Sequence, residues 1–386
     1  MFTPSELEKM PKEIERIFSE LEMRILEDIV RRIRINEEIT RSADWQIYRL
    51  VQMGKSTEEI QKYIKKALNL TNREVNNLYE GAINQGYTRK KAIYEEVGAD
   101  FIEFKDNLEL QQLIQATMDQ TRGQIENITR TLGFAIQMNG KTVYTPFAQY
   151  LQRTLDRAVM EITTGTFDYN STLKRVVNEM TRSGIRTVDY NSGRTYRIEV
   201  AARTALMTGV NQVTNHIAER NARELGTEHF EVSWHATARP SHQLWQGRVY
   251  NKEELRDICG LGEVTGLLGA NCYHSYYPFI KGVSKRQWTD EELDKMNAEE
   301  NKLKTYYGKK YTTYEATQYQ RQLESSMRKQ RQDIKLLRQG KADEEDLVKA
   351  LAKYQGTMAK YRDFSNAINL PQQKERVYVD GLGRVS

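Results

Sequence analysis

Two heptad patterns near the carboxyl end constrain the fold of this chain more than any other feature of its sequence. In both, seam residues recur at alternating steps of four and three, the spacing that keeps one face of a helix against a neighbour. Gly340 separates the patterns, and four acids at 343–346 mark the start of the second helix, where negative charge is favourable. We predict an antiparallel helical hairpin whose seams are buried within the chain or against a partner. The seams are Leu323, Met327, Gln330, Ile334 and Leu337, then Leu347, Leu351, Tyr354, Met358 and Tyr361.

The first third of the chain, residues 1–129, is predicted to be a helical arm. Apolar residues recur there at steps of three and four, which places them on one helix face and leaves the other faces charged. Ser56 and Thr71 are each followed by a glutamate three positions later, a pattern that caps the orphan amide groups of a helix start. We therefore expect helices to begin at these two residues. The apolar face comprises Ile14, Phe18, Leu21, Ile25 and Ile29.

Turn and strand signals appear in the middle of the chain. Asn139-Gly140 lies between two strand-like runs and predicts a tight hairpin, because both residues tolerate positive φ angles. A second hairpin is predicted at 190–193, then a long helix stopped by Gly226 and a strand over 229–235. The predicted fold is a predominantly helical α+β protein, with the arm at 1–129, a small mixed α/β central domain at 130–283 and the helical hairpin tail at 284–386.

Composition excludes several classes of protein. With 386 residues, the chain has room for more than one domain. Charged residues make up 29%, and no apolar run approaches the roughly 18 residues of a membrane span, so a bilayer-crossing protein is not expected. Interleaved charges at 1–20 are unlike a secretory signal. Only two cysteines are present, which indicates a reducing compartment rather than a disulfide framework.

Metal-ligating residue types are concentrated between residues 229 and 274, where four of the five histidines and both cysteines lie. Imidazole and thiolate are the preferred ligands of zinc, and four of them make a closed tetrahedral structural site. The sequence thus predicts a structural zinc site within a His/Cys knuckle. The candidate ligands are His235, His242, Cys272 and His274.

Two alternatives to zinc binding stay open at this point. The spacings His-x6-His and Cys-x-His differ from the usual zinc patterns, so the same side chains are equally suited to hydrogen bonding within a tight glycine-rich knuckle. The other alternative is a metal-dependent nuclease that uses His242 as its base. Such an enzyme would add acidic ligands, and the nearest acids in sequence are Glu231 and those at 253–257.

The central motif resembles the phage minor capsid protein 2 family, which is related to the phage Mu F-like head morphogenesis proteins. The resemblance rests on Ala238-Arg239-Pro240-Ser241-His242, Trp245-Gln246-Gly247, Gly266-Leu267 and Asn271-Cys272-Tyr273-His274, followed by Pro278-Phe279. Within this motif we expect structural roles for Arg239, Trp245, Gly247 and Asn271. The chain departs from related head proteins at His274, where they often have a second cysteine, and at Tyr273, where they often have a basic residue.

The resemblance implies a non-enzymatic structural protein of a tailed bacteriophage or prophage head. It implies docking at the portal or inner capsid, with the portal protein and the major capsid protein or scaffold as partners, and several copies per virion. Expected locations are the capsid interior or portal vertex, and the host cytoplasm during assembly. Expected roles are head assembly and DNA packaging or ejection, with a head-packaged nuclease as the alternative. Amphipathic helices at both ends are expected to complete their burial against other subunits.

The tail also predicts contacts with nucleic acid. Residues 284–386 contain 21 Lys and Arg against 16 Asp and Glu, which accounts for the whole net charge of +5. One stretch has seven basic residues and only Glu324 and Asp333 as acids. It is predicted to contact double-stranded DNA or an acidic partner through phosphate charge, or else to be a solvated helix surface. Its basic residues are Arg321, Arg328, Lys329, Arg331, Lys335, Arg338 and Lys341.

Overall fold

The computed structural model of this protein describes residues 3–37, 45–88, 91, 94–95, 98–163, 166–189 and 192–385. The fold is predominantly helical with small antiparallel sheets, which confirms the predicted α+β class. Within those ranges, no helix is both long and apolar enough to cross a membrane. The helices are α1 Pro4–Lys9, α2 Lys12–Glu37, α3 Trp45–Gly86, α4 Leu108–Arg130, α5 Phe147–Thr163, α6 Tyr169–Ser183, α7 Ile198–Glu224, α8 Pro240–Gln243, α9 Lys252–Asp257, α10 Asp290–Glu300, α11 Thr313–Gln339, α12 Glu344–Ile368 and α13 Lys374–Val377.

The strands in the described part of the chain pair in antiparallel fashion. They are β1 Leu132–Met138, β2 Lys141–Pro146, β3 Ile185–Val188, β4 Thr195–Arg197, β5 His229–Val232, β6 Val249–Asn251, β7 Tyr276–Phe279, β8 Lys304–Tyr306 and β9 Lys309–Tyr311. One sheet has the order β2-β1-β3-β4, another has the order β6-β5-β7, and β8 pairs with β9 as a hairpin. In the second sheet β5 is central, with Phe230 opposite both Tyr250 and Pro278.

The chain divides into two compact units, each assembled from separated stretches. Unit 1 comprises Met1–Glu13, Asn72–Ile125 and Arg203–Gln318. Unit 2 comprises Ile14–Thr71, Glu126–Ala202 and Tyr319–Ser386. The predicted arm, central domain and tail are consecutive segments instead, and that division of the chain stays a prediction.

Helix α2 confirms the predicted apolar face near the amino end. All five residues of that face are buried, from Ile14 to Ile29. They belong to unit 2, so the chain itself removes this face from water. The expectation that the outer helices need other subunits to complete their burial is therefore wrong for α2.

The two predicted helix starts at Ser56 and Thr71 are wrong, because both residues lie inside the 42-residue helix α3. Their hydroxyl groups have other partners. The Ser56 hydroxyl donates to the buried carboxylate of Asp28 in α2, and the Thr71 hydroxyl donates to the carbonyl oxygen of Ala67 one turn earlier. The Ser/Thr-x-x-Glu pattern is identical in sequence at a helix start and in a helix interior. The sequence alone therefore could not distinguish a capping residue from an interior one.

Both predicted hairpins are present. Asn139 and Gly140 have φ angles of 50° and 76° and connect β1 to β2, as expected for a tight turn of this type. Strands β3 and β4 form the second hairpin, with Val188 opposite Thr195. Residues 190 and 191 of its predicted turn lie outside the described residues.

The tail forms the predicted antiparallel hairpin, made of α11 and α12. Successive contacts run in opposite directions along the two helices: Gln320 Nε2 to Ser365 Oγ at 3.0 Å, Tyr361 Oη to Glu324 Oε1 at 3.1 Å and Gln330 Nε2 to Thr357 Oγ1 at 2.9 Å. Every seam residue of α11 is buried. In α12 the seam is buried at its two tyrosines and half-buried at Leu347, Leu351 and Met358.

The core of unit 1 that positions the candidate site joins α7 to the sheet β6-β5-β7. Residues from the helix, from all three strands and from the loops between them are buried together. Both cysteines belong to this core, and neither forms a disulfide. Its members are Ala218, Ala222, Phe230, Val232, Trp245, Tyr250, Leu255, Cys259, Leu267, Cys272 and Tyr276.

Candidate metal centre

Local structure brings His242, Cys272 and His274 together, and we call these three residues the His-Cys cluster. His242 lies in α8, which begins at Pro240, where a missing amide hydrogen costs nothing. Cys272 and His274 lie in the turn before β7. Asn271 precedes them with a φ of 56°, a left-handed conformation that asparagine adopts more readily than most residues.

The cysteine sulfur lies between two imidazole nitrogens. Cys272 Sγ is 3.4 Å from His274 Nδ1 and 3.9 Å from His242 Nδ1. The three side chains offer ligand atoms that all lie within 4.8 Å of one another, and within the described residues theirs is the one group of this kind. The exposed fractions are 2% for His242, 2% for Cys272 and 0% for His274. These groups therefore face each other in a site closed to bulk water.

The outer nitrogen of each clustered histidine is held by an acceptor. His242 Nε2 is 2.8 Å from the carbonyl oxygen of Thr265, and His274 Nε2 is 2.9 Å from Gln246 Oε1. A carbonyl oxygen accepts only, so these contacts assign the ring proton to Nε2 and leave a lone pair on each Nδ1. Gln246 is itself fixed, because its Nε2 donates to Asn297 Oδ1 at 3.3 Å. Both imidazoles thus present a basic nitrogen to the sulfur.

Burial keeps the His-Cys cluster uncharged. Desolvation lowers the pKa of His274 well below its usual value, and positive charge on His235, His242 or Arg239 would lower it further. Desolvation also lowers the pKa of His242, although the Thr265 carbonyl opposes this shift. The pKa of the Cys272 thiol is raised by burial, against the effect of backbone amides at His274 and Leu268. At neutral pH the chain's own groups are two neutral imidazoles and one thiol.

His235 lies next to the His-Cys cluster but outside its group of three ligand atoms. Its ring centroid is 4.2 Å from that of His274, and the side chain is half-buried. Its Nδ1 is 2.8 Å from the carbonyl oxygen of the next residue, Ala236. Of the four sequence-predicted ligands, the structure therefore brings three into one group and places the fourth beside it.

The other motif residues surround the His-Cys cluster. The Arg239 guanidinium donates to the carbonyl oxygen of Ala270, and the ring of Trp245 lies 4.5 Å from His242 and 4.8 Å from His274. Gly247 has a φ of 76°, and a Cβ atom there would clash with a methyl group of Leu293. Asn271 Oδ1 accepts from Arg203 Nη2 at 2.7 Å. These contacts join the start of α8 to the glycine-rich loop at 260–270, and the turn before β7 to α7.

Sequence reasoning did not identify two contributors to this site. Gln246 holds His274 through its side-chain oxygen, and Thr265 holds His242 through its main chain. Gln246 lies within the recognised motif, so its position was a usable signal. A main-chain carbonyl has no sequence signature, and only the tertiary structure could reveal the role of Thr265.

Two of the acids nearest in sequence, Glu231 and Glu254, have other structural roles. Glu231 Oε1 accepts from the backbone amide of Gln287 at 2.7 Å. Glu254 forms a capping box with Asn251 at the start of α9. In the part of the chain that the structure describes, no carboxylate joins the ligand group of the His-Cys cluster. The acidic ligands that the nuclease alternative requires are not found beside His242.

Comparison with known proteins places the chain among phage structural proteins. The sequence profile described as phage minor capsid protein 2 matches residues 2–366. A curated relative, a structural protein of Lactococcus phage LL-H, is 21% identical over 280 residues, which cover 68% of this chain and 74% of the relative. No solved structure matches this chain.

Proposed function

We propose a role in the phage head for this chain, which belongs to the phage minor capsid protein 2 family. A member of that family is a structural component of a bacteriophage virion. Our proposal is that this one docks at the portal vertex or the inner capsid surface, with the portal protein and the major capsid protein or scaffold as partners. There it contributes to head assembly and to the packaging and exit of DNA.

The burial of the His-Cys cluster is the observation that best supports a structural role over catalysis. A general base must reach the proton it removes. His242 is 2% exposed and its outer nitrogen is bound by the Thr265 carbonyl, so neither nitrogen is presented to a phosphodiester at the surface. The contacts of His242 with Thr265 and of His274 with Gln246 connect separate loops, which is a structural role.

Placement in the particle tests this proposal directly. Phage particles carrying a peptide tag on this chain would be imaged by cryo-electron microscopy with a tag-specific Fab. We expect Fab density at the portal vertex after mild opening of the head, with none on intact heads. Density on the outer face of intact heads would contradict the proposal, as would absence of the chain from purified particles.

A plasmid assay addresses the nuclease alternative. Purified protein would be incubated with supercoiled plasmid and Mg²⁺, Mn²⁺ or Zn²⁺, beside the His242→Ala variant. We expect no nicking by either protein. Nicking that is lost in the variant while its circular dichroism is unchanged would favour the enzyme instead.

A DNA contact through the tail is the second part of the proposal, and the structure narrows its candidates. Arg331 is 1% exposed and ion-paired with Asp380 at 2.8 Å, so it is not available at the surface. Lys329 is bound to Asp333 at 2.9 Å, and Arg328 donates to the carbonyl oxygen of Arg376 at 2.7 Å. The exposed basic residues at the carboxyl end of α11 and just beyond it are Lys335, Arg338 and Lys341.

Salt dependence tests the DNA contact. Each neutralised phosphate contributes about 0.9 to the slope of log affinity against log salt. We expect replacement of Lys335, Arg338 and Lys341 by Gln to lower this slope by roughly 2–3 units in a duplex-binding titration. A matched control replaces the exposed Lys62, Lys65 and Lys66 of α3, which removes the same charge elsewhere in unit 2. Equal slopes for the two triple variants would exclude a specific role for the tail.

A further inference from the structure

We infer that the His-Cys cluster binds one Zn²⁺ through His242 Nδ1, Cys272 Sγ and His274 Nδ1, with His235 as the fourth ligand. This goes beyond the proposed head function, since it concerns how unit 1 is held together. Either proposal can fail while the other stands.

Proton counting gives the first argument. The acceptors at Thr265 and Gln246 assign the ring protons to the outer nitrogens, so two Nδ1 lone pairs face a single sulfur. A thiol has one proton and can donate to only one of them. The other lone pair then lies opposite sulfur in a buried site, and buried acceptors are normally paired. A cation between the three atoms satisfies both nitrogens at once.

The distances from the cysteine sulfur to the two imidazole nitrogens suit a tetrahedral zinc ion. Zinc binds sulfur at about 2.3 Å and imidazole nitrogen at about 2.0–2.1 Å, so a tetrahedral ion separates these two ligand types by roughly 3.5 Å. The two separations here are 3.4 Å and 3.9 Å, on either side of that value. Small side-chain movements would therefore bring the three atoms to bonding distance.

The surroundings of the histidines give the third argument. Metal-binding histidines usually donate their second ring N–H to a carbonyl or carboxylate, which fixes the tautomer and the ring orientation. Thr265 and Gln246 provide this for His242 and His274. Gln246 Oε1 also accepts the backbone amide of His235 at 3.2 Å, so the same residue links the proposed fourth ligand to the site.

His235 suits the fourth position by proximity and protonation. Its ring lies against that of His274, at 4.2 Å between centroids. Its contact with the Ala236 carbonyl places a proton on Nδ1 and leaves Nε2 as the basic nitrogen. Binding by all four residues makes a closed His3Cys site, the arrangement of structural rather than catalytic zinc.

Metal binding changes the protonation of one group only. Zn²⁺ and the Cys272 thiol give a zinc thiolate and one proton, which passes to solvent, while the three histidines bind as neutral imidazoles. Nothing is oxidised or reduced. The positive charge of the metal stabilises the Cys272 thiolate, which burial alone disfavours.

Metal content and a cobalt spectrum test the inference. Full-length protein purified without added metal would be analysed by mass spectrometry of the elements, then stripped and titrated with Co²⁺. We expect roughly one zinc per chain and, with Co²⁺, a sulfur-to-metal charge-transfer band together with the intense visible bands of a tetrahedral ion. Stoichiometry well below one both before and after reconstitution would overturn the inference.

Two cysteine variants separate ligation from packing. Cys272→Ser should lose the charge-transfer band and most of the zinc. Cys259→Ser is the matched control, because Cys259 is the other buried free cysteine of the same core and lies outside the His-Cys cluster. Equal loss of metal in both variants would contradict the ligand assignment.

Two histidine variants keep the test decisive if Cys272→Ser fails to fold. His274→Cys should retain zinc and increase the intensity of the cobalt charge-transfer band roughly twofold, because a second sulfur replaces a nitrogen. His235→Ala should retain a weakened site in which water takes the fourth position. Metal-free but folded His274→Cys protein would overturn the three-ligand assignment, and an unchanged cobalt spectrum in His235→Ala would overturn the fourth ligand.

Discussion

The buried polar centres of the two units differ in how their charges and protons are balanced. In unit 2, Arg331 and Asp380 form a bidentate pair at 2.8 Å and 2.9 Å, and Arg32 pairs with Asp28 at 2.9 Å. Each buried charge there meets an opposite charge supplied by the chain. In unit 1, the His-Cys cluster has two lone pairs and one thiol proton. The charges of these two pairs are therefore balanced within the chain, whereas the His-Cys cluster has one more basic lone pair than thiol protons.

Breaking the Arg331–Asp380 pair should give the largest effect. Asp380→Ala leaves a buried guanidinium without its carboxylate, and removal of one partner from a buried pair costs about 3–5 kcal/mol. Arg331 Nη2 would keep its bond to the Gly383 carbonyl at 2.7 Å, but the guanidinium would have lost the carboxylate that balances its charge. Urea denaturation would measure the loss. The double variant Arg331→Met with Asp380→Leu should recover most of it, because no charge is then stranded.

The exposed pair of Lys349 and Glu345 is the control for that experiment. Both side chains are largely in water, at 67% and 78% exposed, where ion pairs contribute little. Glu345→Gln should leave the urea midpoint unchanged. A loss comparable to that of Asp380→Ala would mean that burial does not explain the difference.

Zinc removal should sharpen the contrast by destabilising unit 1 alone. If the free metal exceeds the dissociation constant about 100-fold, bound zinc stabilises by about 2.7 kcal/mol, which chelation would remove. Trp234, Trp245 and Trp288 lie in unit 1, so their fluorescence would follow its unfolding. We expect an earlier fluorescence transition after chelation. The same treatment should leave Cys272→Ser unaffected, and an equal shift in that variant would rule out the proposed site.

The hydroxyl of Ser56 should contribute a smaller amount to unit 2. It donates to the buried carboxylate of Asp28, and a hydrogen bond to a charged group contributes about 1.5–3 kcal/mol. Ser56→Ala should cost roughly this much in urea denaturation. Thr71→Val is the matched control, since Thr71 donates only within its own helix, to Ala67, and valine keeps its shape. Similar losses in both variants would contradict the role assigned to Ser56.

Acid should affect unit 2 through Asp28. Burial would raise the pKa of this carboxyl group, but hydrogen bonds from Arg32, Ser56 and Arg31 outweigh burial and lower the pKa below its ordinary 3.8. A lowered pKa contributes stability that is complete above the unfolded-state value and is lost as the pH falls through the folded one. We expect the stability of unit 2 to decline below about pH 4, with a shallower decline in Asp28→Asn. A variant with the same acid profile would exclude Asp28 as a source.

Local patterns predicted those parts of the fold that depend on neighbours in sequence. The heptad seams predicted α11 and α12, and Asn139-Gly140 predicted the β1–β2 hairpin. Both predictions succeeded because helix periodicity and turn geometry are set within a few residues. The two predicted caps were wrong because Ser56 and Thr71 both lie inside the continuous helix α3. The Ser56 hydroxyl donates instead to Asp28, 28 positions away, a partner that the local sequence does not reveal.

The candidate site shows the same limit. Clustering in sequence selected His235, His242, Cys272 and His274, and the structure places the last three in one group. Sequence could not show that His235 lies beside that group, or that a Thr265 carbonyl fixes a tautomer. In the basic stretch of the tail, it could not distinguish Arg331, which Asp380 holds in the interior, from the exposed Lys335.

By itself, the sequence determined the helical character of this protein, its hairpins, its family and the residue types of its central cluster. Tertiary structure alone decided the composition of the two units, which charges are buried with a partner, and which nitrogens face the sulfur. The reason is physical: periodicity and turn preference act over a few residues, whereas burial and proton placement depend on groups that the chain brings together from far apart.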